Sequence, residues 1–223
     1  MGKTIHQLRD SIKEKVSKFV VSDDNRFDNS WIEDEIVSKN CSLLREEIKV
    51  NRELHDRYYI TYDNIAITRE EVSSSSVAGI TVSSDDYVYK SNLPSLLDGI
   101  SWRNIKYLGG TDINSNSAYT RKSLNGYMAL EGNKWTKDNT IYTMIGNTAF
   151  YKSLPTEGTR LAYGMLLLSD QRDDSNWDDE TSEFITPSTN KLELLVVKEI
   201  LSIVNVSPDV LNDATFFNTT KTT

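Results

Sequence analysis

The chain holds one cysteine, Cys41, among 223 residues, so it forms no internal disulfide. Only two histidines accompany it, His6 and His55. No Cys/His spacing fits a zinc site. No apolar run reaches the length of a signal peptide or a membrane span, so a protein without a membrane role, made in a reducing cytoplasm, is expected. Positive charge is also scarce: 25 Lys and Arg stand against 33 Asp and Glu, giving a net charge of −8. Such a chain has no broad attraction for phosphates, which speaks against a general nucleic-acid binder but leaves room for a local basic patch.

Motifs of catalysis are missing as well. No serine sits in a nucleophile-elbow context. Gly109-Gly110 lacks the lysine and the glycine spacing of a phosphate loop. Asp173, Asp174, Asp178, Asp179 and Glu180 are a dense acidic group, but without EF-hand spacing or its central glycine they read as a solvated loop. Asp23 and Asp24 precede a helix start, where carboxylates cap and complement the helix dipole. His6 and His55 read as surface residues, and Cys41 as a small helix residue with no neighbouring base. The expectation is a non-enzyme with no catalytic residue, no cofactor and no metal.

What is present is a clear change of period along the chain. Thr4 with Gln7 fits a capping box, and Ile5, Leu8, Ile12, Val16 and Phe19 recur at helical steps, predicting a helix over 4–20. Ser30 with Glu33 fits a second box. Ile32, Ile36, Leu43, Leu44 and Ile48 then predict a helix from 30 to about 56. From Tyr58 the period becomes two, and strands are expected at 58–62, 65–68, 80–82, 87–89, 102–108 and 160–168. Gly146-Asn147 between 141–145 and 148–151 is a two-residue hairpin turn. Gly132-Asn133 suggests a second such turn, and with it a meander over 127–151. Thr186-Pro187 opens a helix to about 205 that is apolar on most sides and hence buried.

These elements give an α+β fold. An N-terminal helical hairpin (1–57) and a C-terminal helix (186–206) form a helical bundle. A central antiparallel β-rich domain spans 58–185, and 207–223 is a polar C-terminal arm. Tyr58, Tyr59, Tyr62, Trp102, Tyr107, Trp135, Tyr142 and Tyr151 read mainly as strand core. They leave open a second class of function, a ligand- or carbohydrate-binding β-domain with helical appendages.

Three groups of residues carry a family resemblance: Ser22-Asp23-Asp24-Asn25-Arg26; Trp31-Ile32 with Glu35-Ile36; and Leu43-Leu44-Arg45-Glu46-Glu47. Their order resembles the helical hairpin of the head-to-tail connector (ring or neck) proteins of tailed bacteriophages, the crAss-like type above all. Trp177, the turn at 184–187 and the apolar helix after it resemble that family's closing segment, and 206–213 its C-terminal arm. The likeness spans about the first 60 and the last 45 residues. It implies a homo-oligomeric, usually dodecameric, ring in the virion neck, assembled in the host cytoplasm beneath the portal protein and against adjacent neck or tail rings. Packaged DNA would pass through the lumen without specific binding. The expected oligomer interface combines charged helix positions Glu33, Lys39, Arg45, Glu46, Lys49 and Arg52 with the apolar anchors Val210, Leu211, Phe216 and Phe217 of the arm.

Overall fold

A computed structural model describes residues 2–18, 27–51, 54–71, 87–98, 103–110, 118–129, 139–154 and 161–204. The chain divides into two compact units, Met1–Tyr58 with Asp170–Thr223, and Tyr59–Ser169. The fold is α+β, as the change of period predicts. Phe19, the expected strand at 80–82, the turn at Gly132-Asn133 and the arm at 207–223 lie outside the described residues.

In the first unit, α1 (Ile5–Ser17) begins with the capping box read from the sequence. The Thr4 hydroxyl accepts from the Gln7 N–H (3.3 Å), and the Gln7 side chain accepts from the Thr4 N–H (3.2 Å). The second helix, α2 (Asn29–Val50), departs from expectation at both ends. Its N-cap is Asp28, which makes no side-chain capping bond; the Ser30 hydroxyl instead donates to the Asp28 carboxylate (2.8 Å). The box at Ser30 and Glu33 is therefore not made. At the far end Asn51 turns extended (φ −98°, ψ 132°) and its N–H closes on the Glu47 carbonyl (2.8 Å), so the helix stops well short of 56.

A later helix in the chain, α4 (Thr189–Ile203), is capped by the Ser188 hydroxyl, which accepts from the Lys191 N–H (3.3 Å). Ion pairs and one hydrogen bond to an amide show the directions of the helices. Arg9 meets Glu33 while Lys13 meets Asn29, so α1 and α2 run in opposite senses. Lys39 meets Glu199 while Lys191 meets Glu46, so α2 and α4 do too. Ile5, Leu8 and Ile12 close a core with Ile32, Ile36 and Leu43 and with Leu192, Val196, Val197, Ile200 and Leu201. The expected bundle of the N-terminal hairpin and the C-terminal helix is thus a three-helix core.

One polar residue interrupts the α4 stripe. Glu193 is 1% exposed. Lys3 reaches its carboxylate at 2.6 Å and Lys15 binds the other oxygen. Burial opposes ionisation of this carboxyl, but the two lysines outweigh it and hold the group below its ordinary range.

The segment from Asp170 to Ile185 was expected in the β-rich part and belongs instead to the helical unit. Gln171, buried, donates to the Ile185 carbonyl (2.6 Å) and accepts from the Ile185 N–H (2.9 Å). Asn40 of α2 donates to the same carbonyl (3.1 Å). Trp177 stands edge-on to Phe184, and both pack on the helical core. These bonds satisfy backbone groups that an irregular buried segment would otherwise leave unpaired.

The second unit holds two sheets. One has the order β1–β8–β4, with β8 (Leu161–Leu166) between β1 (Ile60–Ala66) and β4 (Ile105–Gly110). The nearly continuous apolar run at 160–168 fits this central position. The other sheet orders β2 (Thr68–Glu71), β3 (Tyr87–Asn92), β7 (Thr148–Lys152), β6 (Ile141–Ile145) and β5 (Thr120–Arg121). Among the described strands β5 pairs with β6 in parallel and the other pairings are antiparallel. The hairpin β6–β7 is the one read from Gly146-Asn147, with Gly146 at φ +58°, a region glycine enters without strain.

Residues 124–129 correct the expected meander. They form a short helix, α3 (Leu124–Ala129), whose first turn is held by the Ser123 hydroxyl accepting from the Gly126 N–H (3.2 Å). Side chains of β6 and β7 alternate between two cores. Tyr142, Ala149 and Tyr151 face the first sheet, while Ile141 and Phe150 face Tyr127 and Leu124 of α3. A helix at this point covers the second face of the sheet.

Ile36 is fully buried at the centre of the three-helix core. Ile36→Asp should cost about 3 kcal/mol or more, since it leaves a carboxylate unpaired among aliphatic groups. Urea denaturation measures this directly, and an unchanged midpoint would refute the packing.

Candidate functional site

The helical unit carries charges expected at an oligomer interface, and three of the six, Glu33, Lys39 and Glu46, are paired inside the unit. Glu33 accepts from Arg9 at 2.7 Å and lies 3.8 Å from His6. Lys39 bridges Glu35 and Glu199, both at 3.0 Å, and its ammonium is held protonated above the usual lysine range by those hydrogen bonds. Glu46 pairs with Lys191 at 2.7 Å, and this bond lowers its pKa. Arg172 is shared by Asp170 and Asp34, both at 2.7 Å. Lys49 is exposed and Arg45 half-buried. Arg52, Val210, Leu211, Phe216 and Phe217 lie outside the described residues.

The expected interface charges are therefore first of all the pairs that align three helices. Beside the exposed Lys49, apolar positions also stay open to solvent: Val50, 81% exposed at the end of α2, and Ile203, 49% exposed at the end of α4. Sequence reasoning missed both. Their signal is weak, because each lies only two residues beyond the last buried residue of its helix, Ile48 in α2 and Leu201 in α4.

The candidates for chemistry are placed apart. The Cys41 thiol is buried, and burial pushes its pKa up, so the thiolate is disfavoured. His55 is exposed and its Nδ1 accepts from the Arg57 N–H (3.2 Å). The acidic loop turns its carboxylates onto itself. Asp178 accepts from the Glu180 N–H (2.9 Å), a bond that leads in lowering its pKa; Asp179 accepts from Trp177 Nε1 (2.6 Å), and Asp174 from the Asn176 N–H (3.2 Å). Among the described residues no three His, Cys, Asp or Glu side chains are grouped to hold a metal ion. Among them, too, no helix is long and apolar enough to cross a membrane. Gly109-Gly110 is the end of β4.

The aromatic set separates by unit. Tyr58 is buried in the helical unit, with the Arg57 guanidinium 4.8 Å from its ring centre. Tyr142 and Tyr151 are buried in the sheet unit, and Ser91 shares a hydrogen bond of 2.6 Å with the Tyr151 hydroxyl. Burial drives the Tyr151 pKa well above the usual phenol value and pushes that of Tyr142 up to about 12. Trp102 and Trp135 lie outside the described residues. Tyr107 lines a cavity of about 200 Å³ with Tyr119, Arg121 and Tyr142. Sequence reasoning singled out Tyr107 and Tyr142 but missed Tyr119 and Arg121. Their spacing of two in an extended segment, which sends both side chains to one side, is the signal that marks them.

No protein-family model matches this chain, and a search of curated proteins finds no match.

In the folded protein a disulfide reagent at pH 8 should leave Cys41 unmodified, and denaturant should release one thiol per chain. Rapid labelling without denaturant would place the thiol in an accessible site instead.

Proposed function

We propose that this chain is a non-enzymatic structural protein of the virion, the subunit of a homo-oligomeric ring in the head-to-tail connector of a tailed bacteriophage of the crAss-like type. One observation carries the reading. Residues that resemble the connector family lie at both ends of the chain, and they meet in one helical core. Trp31, Ile32, Ile36 and Leu43 pack there with Trp177, Phe184 and the apolar face of α4. In this reading the ring is dodecameric, sits beneath the portal protein and abuts the next neck or tail ring. The net charge of −8 suits a lumen through which DNA slides without being gripped.

Since Glu33, Lys39 and Glu46 are paired within the subunit, ring affinity would come from apolar contacts. Val50, Ile203 and the arm residues Val210, Leu211, Phe216 and Phe217 are the candidates. An exposed ion pair contributes only about 0–1 kcal/mol, so charges such as Lys49 would set orientation and encounter rate. The arm would gain its order on a neighbouring subunit, where a preformed groove offsets the chain entropy lost.

The test is native mass spectrometry with negative-stain microscopy of the full chain, alone and with purified portal protein. A closed ring of fixed copy number is expected, weakened by salt. Removing residues 207–223 should leave the melting transition in place and abolish the ring. A protein that stays monomeric at high concentration with portal present would contradict the proposal.

A further inference from the structure

The sheet unit contains a corner where one segment serves two sheets. Ala118 bridges Gly109, and the Tyr119 N–H donates to the Leu108 carbonyl (2.8 Å), which lays this segment along the edge of β4. Immediately after, Thr120-Arg121 pairs in parallel with Ile141-Tyr142 of β6 in the other sheet. The crossing leaves the cavity of about 200 Å³ lined by Tyr107, Tyr119, Tyr142, Arg121, Lys106 and Leu108.

Its lining has a definite chemistry. Among the described residues Tyr107, Tyr119 and Tyr142 line it, no carboxylate does, and the charged ones, Lys106 and Arg121, are both cationic. Burial raises the pKa of Tyr119, with neighbouring Tyr107 adding to the shift, and that of Tyr142 to about 12, so the Tyr119 and Tyr142 phenols keep their protons at neutral pH. Arg121 is oriented by donating Nη1 to Asn104 Oδ1 (3.0 Å), and the Tyr119 ring is held edge-on by Tyr151 with centres 5.8 Å apart. Lys106 holds its Nζ 5.8 Å from the Tyr59 ring centre. An apolar cavity of about 150 Å³ accepts one benzene ring. Drug-sized ligands need roughly 300 Å³ or more. A single substituted ring therefore matches this space.

We propose that the cavity is a binding site for one six-membered ring bearing a carboxylate. The ring lies against Tyr119 and Tyr142, and the carboxylate meets Arg121. The site stands on the sheet unit alone and is independent of the connector reading. A uronic-acid sugar and a benzoic-acid-type aromatic share this chemistry.

The experiment titrates the full chain with glucuronate and with benzoate, each beside its neutral counterpart, glucose or benzyl alcohol. Tyrosine ring resonances and calorimetry give the readout. One carboxylate is expected to saturate with a Kd near 1 mM or below, and its neutral counterpart to bind at least about tenfold more weakly. Which carboxylate saturates decides between sugar and aromatic acid. Arg121→Gln should weaken binding by at least about tenfold, the loss of a charge-assisted hydrogen bond. If that variant loses its circular dichroism, the exposed Lys106→Gln serves instead, with a smaller loss expected. Neither carboxylate saturating by about 20 mM, equal binding of the neutral rings, or an unchanged Kd in the cation variants would overturn the site.

Discussion

A carboxylate buried in a helix of leucines and valines is the constraint on which the helical unit turns. Glu193 sits between Leu192 and Leu194 on α4 with 1% of its surface exposed. An ionised group in that position is untenable without cations beside it. They come from the N-terminal segment: Lys15 reaches it from the last turn of α1, and Lys3, before α1 begins, reaches it at 2.6 Å while donating also to the Ser11 hydroxyl (3.2 Å). The two ends of the described chain are thereby joined. The Lys3 carbonyl in turn accepts from the Phe184 N–H (2.9 Å), so the segment leading into α4 is tied to the same place. The apolar stripes of α1, α2 and α4 supply the stabilisation, and the buried ion group selects how they are matched. Aliphatic stripes alone specify register poorly, whereas a buried charge tolerates few alternatives.

Much of this arrangement is legible in the sequence, for stated reasons. The apolar steps at Ile5, Leu8 and Ile12, the Thr4 and Gln7 box, and the Gly146-Asn147 turn are local signals, and each element forms where its signal stands. Tertiary bonds decide the rest. Ser30 and Glu33 have the capping pattern, yet Glu33 is taken by Arg9 and Ser30 by Asp28, so the helix starts without the box. Leu124 and Tyr127 give α3 less than two turns of period, too little to distinguish from a strand. Gln171 looks like a loop residue until Ile185 is placed beside it. Glu193 is one more polar residue on a helix, and nothing local says that it faces inward. Arg121 and Tyr119 become a site only when β5 leaves one sheet for the other.

The two units divide the functional question. The helical unit holds the family-like residues, and its charged side chains are largely committed to internal pairs, which leaves apolar positions for assembly. The sheet unit contributes two sheets and a helix around their shared strands, with a cationic, tyrosine-lined cavity at the corner. In the proposed ring, stability would reside in the ion-paired helices and the sheet unit would be available for recognition. Neither role asks for a nucleophile. The one thiol is buried, and the two described histidines are far apart in sequence and bonded to different partners.

The central physical claim is that ionised Glu193, held by Lys3 and Lys15, fastens the N-terminal segment to α4. Its most direct test is the pH dependence of unfolding free energy in the natural protein and in the Lys3→Met, Lys15→Met double variant. In the natural protein the carboxyl pKa is lowered on folding, so its contribution is full above the unfolded value, 4.5, and fades as pH falls through the folded one. In the variant the carboxyl is buried without cations and its pKa rises on folding, so its contribution is full below the unfolded value and fades as pH increases. The account predicts a stability gap that widens from pH 4 to pH 7, reaching about 2–3 kcal/mol, less than for a fully enclosed pair because both lysines are partly exposed. A gap that stays the same across this range would contradict it.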